Sequence, residues 1–176
     1  MDSGKNLYKT YFNPLLIEPN RPFPKEIAII GAGTIGPDIG YYLKSALPDI
    51  TLYLVDVAEK PLIKAEARIK DYLQKGIDRK KITSEKAEVL GRNIAYTTDY
   101  EQIKNCELVI EAASENLTLK QQIFARIEEI VSGDCIITSN TSSIPADRIF
   151  SNMRKPARTA VTHFFAPALR SLPVEV

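Results

Sequence analysis

Along this chain, short runs in which nearly every residue is apolar alternate with longer stretches in which apolar side chains return every three or four positions. Runs of the first kind read as buried strands and stretches of the second kind as amphipathic helices. On that basis a strand runs from Glu26 to Ile30, a helix from about Thr34 to Leu47 and a strand from Ile50 to Val55. A polar amphipathic helix follows from about Pro61 to Lys75, with Pro61 in its first turn and Gly76 as its stop. A short helix over about Ser84 to Leu90 leads to a strand from Asn93 to Thr97, and Glu107 to Ala113 reads as a strongly apolar central strand that ends in acid. The next helix spans about Leu117 to Val131, apolar at Leu119, Ile123, Ile127, Ile130 and Val131, and runs on to a strand from Cys135 to Ser139. A strand from about Ala160 to Phe165, a turn through Pro167 and a last short strand near Pro173 to Val176 close the chain. This alternation predicts an α/β fold with a doubly wound, mostly parallel sheet and helices on both faces. Ahead of it, Met1 to Pro24 carry Pro14, Pro19, Pro22 and Pro24 and no sustained period. They read as an extension over the surface of the domain at residues 25–176, with Leu15, Leu16 and Ile17 able to dock on it.

The first strand pours directly into Gly31-Ala32-Gly33-Thr34-Ile35-Gly36. Glycines in the pattern GxGxxG between a strand and a helix fit a dinucleotide pyrophosphate. Gly31 permits the tight turn, Gly33 lets backbone approach a phosphate, and Gly36 lets the helix pack closely on the strand. The phosphates would rest on the helix N-terminus, beside Thr34 and Ile35, where unpaired N–H groups and the helix dipole favour an anion. A glycine-rich turn with no ligand would show the same pattern, so the second strand carries weight. It ends in Asp56, where a carboxylate accepts the ribose hydroxyls of NAD and repels the 2′-phosphate of NADP. Neither Val57 nor Ala58 supplies an arginine for that phosphate. The cofactor implied is NAD, in a Rossmann-type sheet.

At 176 residues the chain has room for one main domain. With 23 basic and 22 acidic residues it has no large field to draw it to nucleic acid or a membrane, and neither is an expected partner. Cys106 and Cys135 lie in or beside apolar segments and read as small buried hydrophobes, and no metal site is expected. No apolar stretch approaches the ~20 residues that span a bilayer, and the N-terminus lacks a secretory pattern, so a reducing, cytoplasmic location is expected. Lys64, Arg68, Lys70 and Lys75 read as a solvated helix face, or, joined by Arg79, Lys80 and Lys81, as a surface that meets the phosphorylated tail of a substrate.

Strand ends point into the ligand crevice of such a sheet, and there the pattern gathers Asp56, Glu115, Ser142 and His163, the only histidine. A lone histidine is as readily a satisfied strand residue as an acid or base. Glu175 lies 12 residues on, across the turn at Pro167, where a returning strand would set its carboxylate beside the imidazole. Such a pair, beside NAD, suits oxidation of an alcohol: one ring nitrogen is oriented by the carboxylate and the other takes the hydroxyl proton.

The segments Gly31-Ala32-Gly33-Thr34-Ile35-Gly36, Glu111-Ala112-Ala113-Ser114-Glu115-Asn116-Leu117, Ser139-Asn140-Thr141-Ser142-Ser143 and His163-Phe164-Phe165 with Val174-Glu175-Val176 together resemble the NAD-binding domain of 3-hydroxyacyl-CoA dehydrogenases, over about Lys25 to Val176. The resemblance implies an acyl-CoA substrate, His163 as base paired with Glu175, and Ser142 near the substrate 3-oxygen and the nicotinamide. It places cofactor contacts on the glycine loop, Asp56, Glu115, Lys120 and Ser142. Departures stand beside it. Ala166 replaces the asparagine usual after His-Phe-Phe, and the turn from Pro167 to Pro173 lacks the usual methionine and carries Arg170. The family also continues into an all-helical domain that completes the acyl-CoA site, supplies a catalytic asparagine and forms the dimer, so a C-terminal helical domain is an implied requirement for activity. The leading expectation is the NAD-binding, catalytic-dyad half of such an enzyme. The alternatives are a non-catalytic NAD-binding module and a related enzyme for a cyclic or branched acyl-CoA.

Overall fold

The computed structural model describes residues 21–169 and 173–176. The segment carrying Leu15, Leu16 and Ile17, and Arg170 in the closing turn, lie outside these residues.

Strand β1 (Glu26–Ile30) is flanked in parallel by β2 (Thr51–Val55) and by β4 (Leu108–Glu111). Outside β2 lies β3 (Ile94–Thr97), and outside β4 lie β5 (Ile136–Ser139) and β6 (Thr159–Val161). The order β3-β2-β1-β4-β5-β6 is parallel throughout, and the winding direction reverses between β1 and β4. That reversal opens a crevice at the carboxyl ends of these two strands. Five helices connect the strands: α1 (Gly36–Ala46), α2 (Glu59–Asp78), α3 (Ser84–Gly91), α4 (Leu117–Ile130) and α5 (Ala146–Ile149).

The alternation of β1 divides the core. Ile27 and Ile29 face one side with Ile39 of α1 and Leu62, Ala65 and Ile69 of α2, while Ala28 and Ile30 face the other with Phe124 and Ile127 of α4. Both faces of β1 are covered, which is why it reads as a continuous apolar run rather than an alternating one. Cys106 and Cys135 are buried free thiols, pushed up to about 12 and about 11 by burial, so both persist as inert apolar side chains.

Most boundaries lie within one to three residues of the sequence pattern, and two departures have a distinct physical cause. Helix α2 does not stop at Gly76 but runs to Asp78. The chain turns at Lys80, in the left-handed region at φ 53°, with Lys80 N–H donating to Ile77 O and Lys81 N–H to Gly76 O. This is a Schellman ending in which the glycine occupies the third position from the end. A Cβ there would sit 2.9 Å from Ile82 Cδ1, so Gly76 makes room for the apolar contact that closes the motif. The apolar run from Ala160 to Phe165 is also not one strand. It leaves the sheet at Thr162, whose N–H donates to Ser139 O, and its second half, β7 (His163–Phe164), pairs antiparallel with β8 (Val174–Glu175).

The glycine loop separates two roles. Gly31 has φ +111°, and a Cβ on Gly36 would lie 1.9 Å from the Gly31 carbonyl oxygen, whereas a Cβ on Gly33 would meet nothing within 4 Å. Gly36 thus serves the fold and Gly33 faces open space. Gly36→Ala is expected to destabilise the domain by about 2–4 kcal/mol in urea unfolding, while Gly33→Ala stays within about 1 kcal/mol of the parent. Equal stability of the two variants would contradict this division.

Candidate functional site: a dinucleotide crevice beside a histidine–glutamate pair

On the β2 side of the crevice, Asp56 Oδ2 accepts the Ala32 N–H at 2.9 Å and Oδ1 accepts the Ala58 N–H at 3.2 Å. The carboxylate thereby ties the end of β2 to the glycine loop and stays part-exposed. No side chain caps the N-terminus of α1, which begins with Pro37 in its first turn. Beside it lies a cleft of about 440 Å³ lined by Gly31, Gly33, Thr34, Asp56, Val57 and Tyr100 among others. Open space over Gly33, an uncapped helix start and a carboxylate at the second strand end fit a dinucleotide, with its adenosine half on the β2 side and its nicotinamide half across β4 and β5.

One basic residue of α2 is not part of a solvated face. Arg68 Nη1 donates to Thr34 O at 2.7 Å, Nη2 pairs with Asp38 at 3.1 Å and Nε donates to Tyr72 Oη at 2.6 Å. The Tyr72 hydroxyl donates to Asp38 Oδ1 at 2.7 Å, and Asp38 is buried in the first turn of α1. Arg68 therefore straps α2 to the glycine loop, whereas Lys64, Lys70 and Lys75 are exposed. The pattern of α2 alone does not reveal the strap, because its buried partner Asp38 sits on a different helix.

On the β4 side the site is built around Glu111, which has 0% exposure. Its Oε1 accepts from Lys120 Nζ at 2.7 Å and from the Ala113 N–H at 2.7 Å, and its Oε2 accepts from Lys120 Nζ at 2.8 Å and from Ser139 Oγ at 2.6 Å. Lys120, itself buried, reaches on to Glu115 Oε2 at 3.3 Å. Glu115 Oε1 accepts from the hydroxyls of Thr141 and Ser143. Partial burial raises the Glu115 pKa, but these hydroxyls and the Lys120 charge outweigh it and hold the carboxyl below its usual range. The side chain of Asn116 caps α4 by accepting the Leu119 N–H at 2.9 Å, which places Lys120 one residue further on, pointing into the sheet. Glu111 went unassigned in the sequence pattern. Its signal was an acid closing an apolar strand with a lysine nine residues later.

The loop after β5 spreads its residues between roles. Thr141 is buried, Ser142 stands exposed, and Asn140 Oδ1 accepts the Phe164 N–H at 2.8 Å, tying this loop to the β7–β8 ribbon. In that ribbon His163 lies directly opposite Glu175, with Nδ1 3.3 Å from Glu175 Oε2. A carboxylate accepts only, so this contact directs the Nδ1 proton toward Glu175 and leaves Nε2 as the acceptor. The ring also packs against Phe165 at a centroid distance of 4.8 Å.

Residues 26–176 match the family model described as the NAD-binding domain of 3-hydroxyacyl-CoA dehydrogenase. The chain is 37% identical over 143 residues to the glyoxysomal fatty acid beta-oxidation multifunctional protein MFP-a of Brassica napus, a match that covers 81% of this chain and 19% of that protein. Among solved structures, a 3-hydroxybutyryl-CoA dehydrogenase of Escherichia coli superposes with a TM-score of 0.83 at 33% identity, covering 87% of this chain and 32% of that one. An (S)-3-hydroxybutyryl-CoA dehydrogenase of Ralstonia eutropha superposes with a TM-score of 0.81 at 31% identity, covering 86% and 53%. The chain spans about a fifth of the length of the curated relatives it matches. With the Rossmann-type strand order, the glycine loop and its strand-end aspartate in place, this chain belongs to the family of 3-hydroxyacyl-CoA dehydrogenase NAD-binding domains.

Proposed function

We propose that this chain is the cofactor-binding, catalytic-dyad half of an NAD-dependent enzyme that interconverts (3S)-3-hydroxyacyl-CoA and 3-oxoacyl-CoA. The observation that carries the reading is the His163–Glu175 pair, set face to face by the register of β7 and β8. NAD, when bound, supplies the acceptor for the hydride that leaves the substrate C3. His163 Nε2 takes the proton of the 3-hydroxyl, and Glu175 holds the ring and stabilises the imidazolium that results. Ser142, exposed on the loop joined to this ribbon, donates to the substrate 3-oxygen. Gly31, Gly33, Thr34, Ile35 and Gly36 receive the pyrophosphate, Asp56 the adenosine ribose, and Glu115 and Lys120 the nicotinamide side.

For the acyl-CoA, a second cavity of about 470 Å³ opens between α1, α2 and the turn after β7. Tyr41 and Tyr72 line it, Lys75, Arg79 and Lys81 supply positive charge for a phosphorylated tail, and Pro167 and Leu169 form the side toward the dyad. Phe165 and Val176 are exposed beside the dyad, an apolar surface that a C-terminal helical domain would cover. Ala166 favours a second reading, a nucleotide-binding module without chemistry, since it offers no side-chain polar contact at the end of the ribbon.

Titration of the purified chain with NADH, followed by the cofactor's own fluorescence, is expected to saturate with clear preference over NADPH. Gly33→Ala is expected to lose at least tenfold in NADH affinity, because its methyl would enter the space reserved for a phosphate. No saturation with either cofactor would sink the reading. In the complete enzyme, His163→Ala should keep NADH affinity within about twofold and lower turnover by about 10²–10⁴, the usual worth of a general base. Unchanged turnover would overturn the assignment of His163 as the base.

A further inference from the structure

We propose that Glu111 sets the preference of this crevice between oxidised and reduced cofactor. The inference rests on the cofactor reading above, which lays the nicotinamide half across β4 and β5. Three ionisable groups meet there: Glu111 and Lys120, both buried, and Glu115, whose side chain is 40% exposed. Two carboxylates and one ammonium leave the trio with one net negative charge. The nicotinamide ring is positive in NAD⁺ and neutral in NADH, so that charge stabilises the oxidised form alone. Glu111 is the member that fixes where these charges stand. Four hydrogen bonds from three donor groups lock it in place, and its pull at 2.7 and 2.8 Å keeps the ammonium from collapsing onto Glu115, which Lys120 reaches only at 3.3 Å. With Glu111 and Lys120 buried and only Glu115 part-exposed, the charge is felt further than a fully solvated carboxylate's would be.

Glu111 thus acts through Lys120 and Glu115 as a positioning residue, and its signature is a ratio of affinities rather than an affinity. The test uses this chain: NADH by fluorescence titration, NAD⁺ by displacement of NADH. In Glu111→Gln, which leaves the trio neutral, the ratio of the NAD⁺ Kd to the NADH Kd is expected to rise by about three- to tenfold, the scale of one unit charge across a partly solvated site. A tenfold rise corresponds to about 30 mV on the potential of the bound couple, toward a stronger oxidant. Glu111→Gln with Lys120→Gln restores one net negative charge, and its ratio should return to within about twofold of the parent. Glu115→Gln, on an exposed side chain, neutralises the trio without disturbing the buried pair, and it should shift the ratio the same way even where Glu111→Gln fails to fold. An unchanged ratio in the folded single variants, equal weakening of both forms, or a shift that persists in the double variant would overturn the proposal. A parent chain that binds neither form would instead remove the cofactor reading beneath it.

Discussion

A carboxylate cut off from water is tolerated only when donors meet its oxygens, and at Glu111 that requirement reaches into every element on the β4 side of the crevice. Meeting it takes a lysine from the second turn of α4, a hydroxyl from the end of β5 and the backbone of the turn after β4. Each of those groups is then fixed, and what hangs on them is fixed in turn. Lys120 holds Glu115, and Glu115 collects Thr141 and Ser143. Asn140 on the same loop anchors the backbone of Phe164, next to His163. Desolvation at one strand end is thus converted into order over a surface that reaches the histidine.

The other half of the crevice is organised by close approach rather than by charge. Gly36 lies against the Gly31 carbonyl, Asp56 takes two backbone N–H groups, and Arg68 pulls Thr34 toward α2. A negative side chain in the first turn of α1 suits the helix dipole but carries its charge into a buried setting. Arg68 offsets it by pairing with Asp38 directly. The two halves of the site are therefore preorganised by different means, backbone contact around the glycine loop and a desolvated ion pair across β4 and β5.

How far the sequence could be read follows from how local each feature is. The strands were legible because β1, β2 and β4 are apolar on both faces, and the glycine loop because its glycines and the strand before it are contiguous. The helix starts at Asn116 and Thr83 sit where capping chemistry puts them. Gly76 misled because a glycine near a helix end marks either the stop or the room needed inside it, and only Ile82, six residues on, decides which. The break at Thr162 was hidden because β6 and β7 are equally apolar and differ only in which neighbour takes their hydrogen bonds. Arg68 and Glu111 draw their meaning from partners on other elements, Asp38 and Ser139, that no period along the chain connects to them.

The His163–Glu175 pair rides on a ribbon of only two residues per strand, a structure with little stability of its own. What holds it is a pair of plugs: Phe164, buried and edge-on to Tyr42 at 5.9 Å, and Ala168, fully buried in the core shared by α1 and α2. Side chains alternate along a strand, so a slip of one residue between β7 and β8 would turn the imidazole and the carboxylate to opposite faces. Alignment of the pair is in that sense an all-or-nothing property, governed by whether a phenylalanine and an alanine are seated rather than by the contact between the imidazole and the carboxylate.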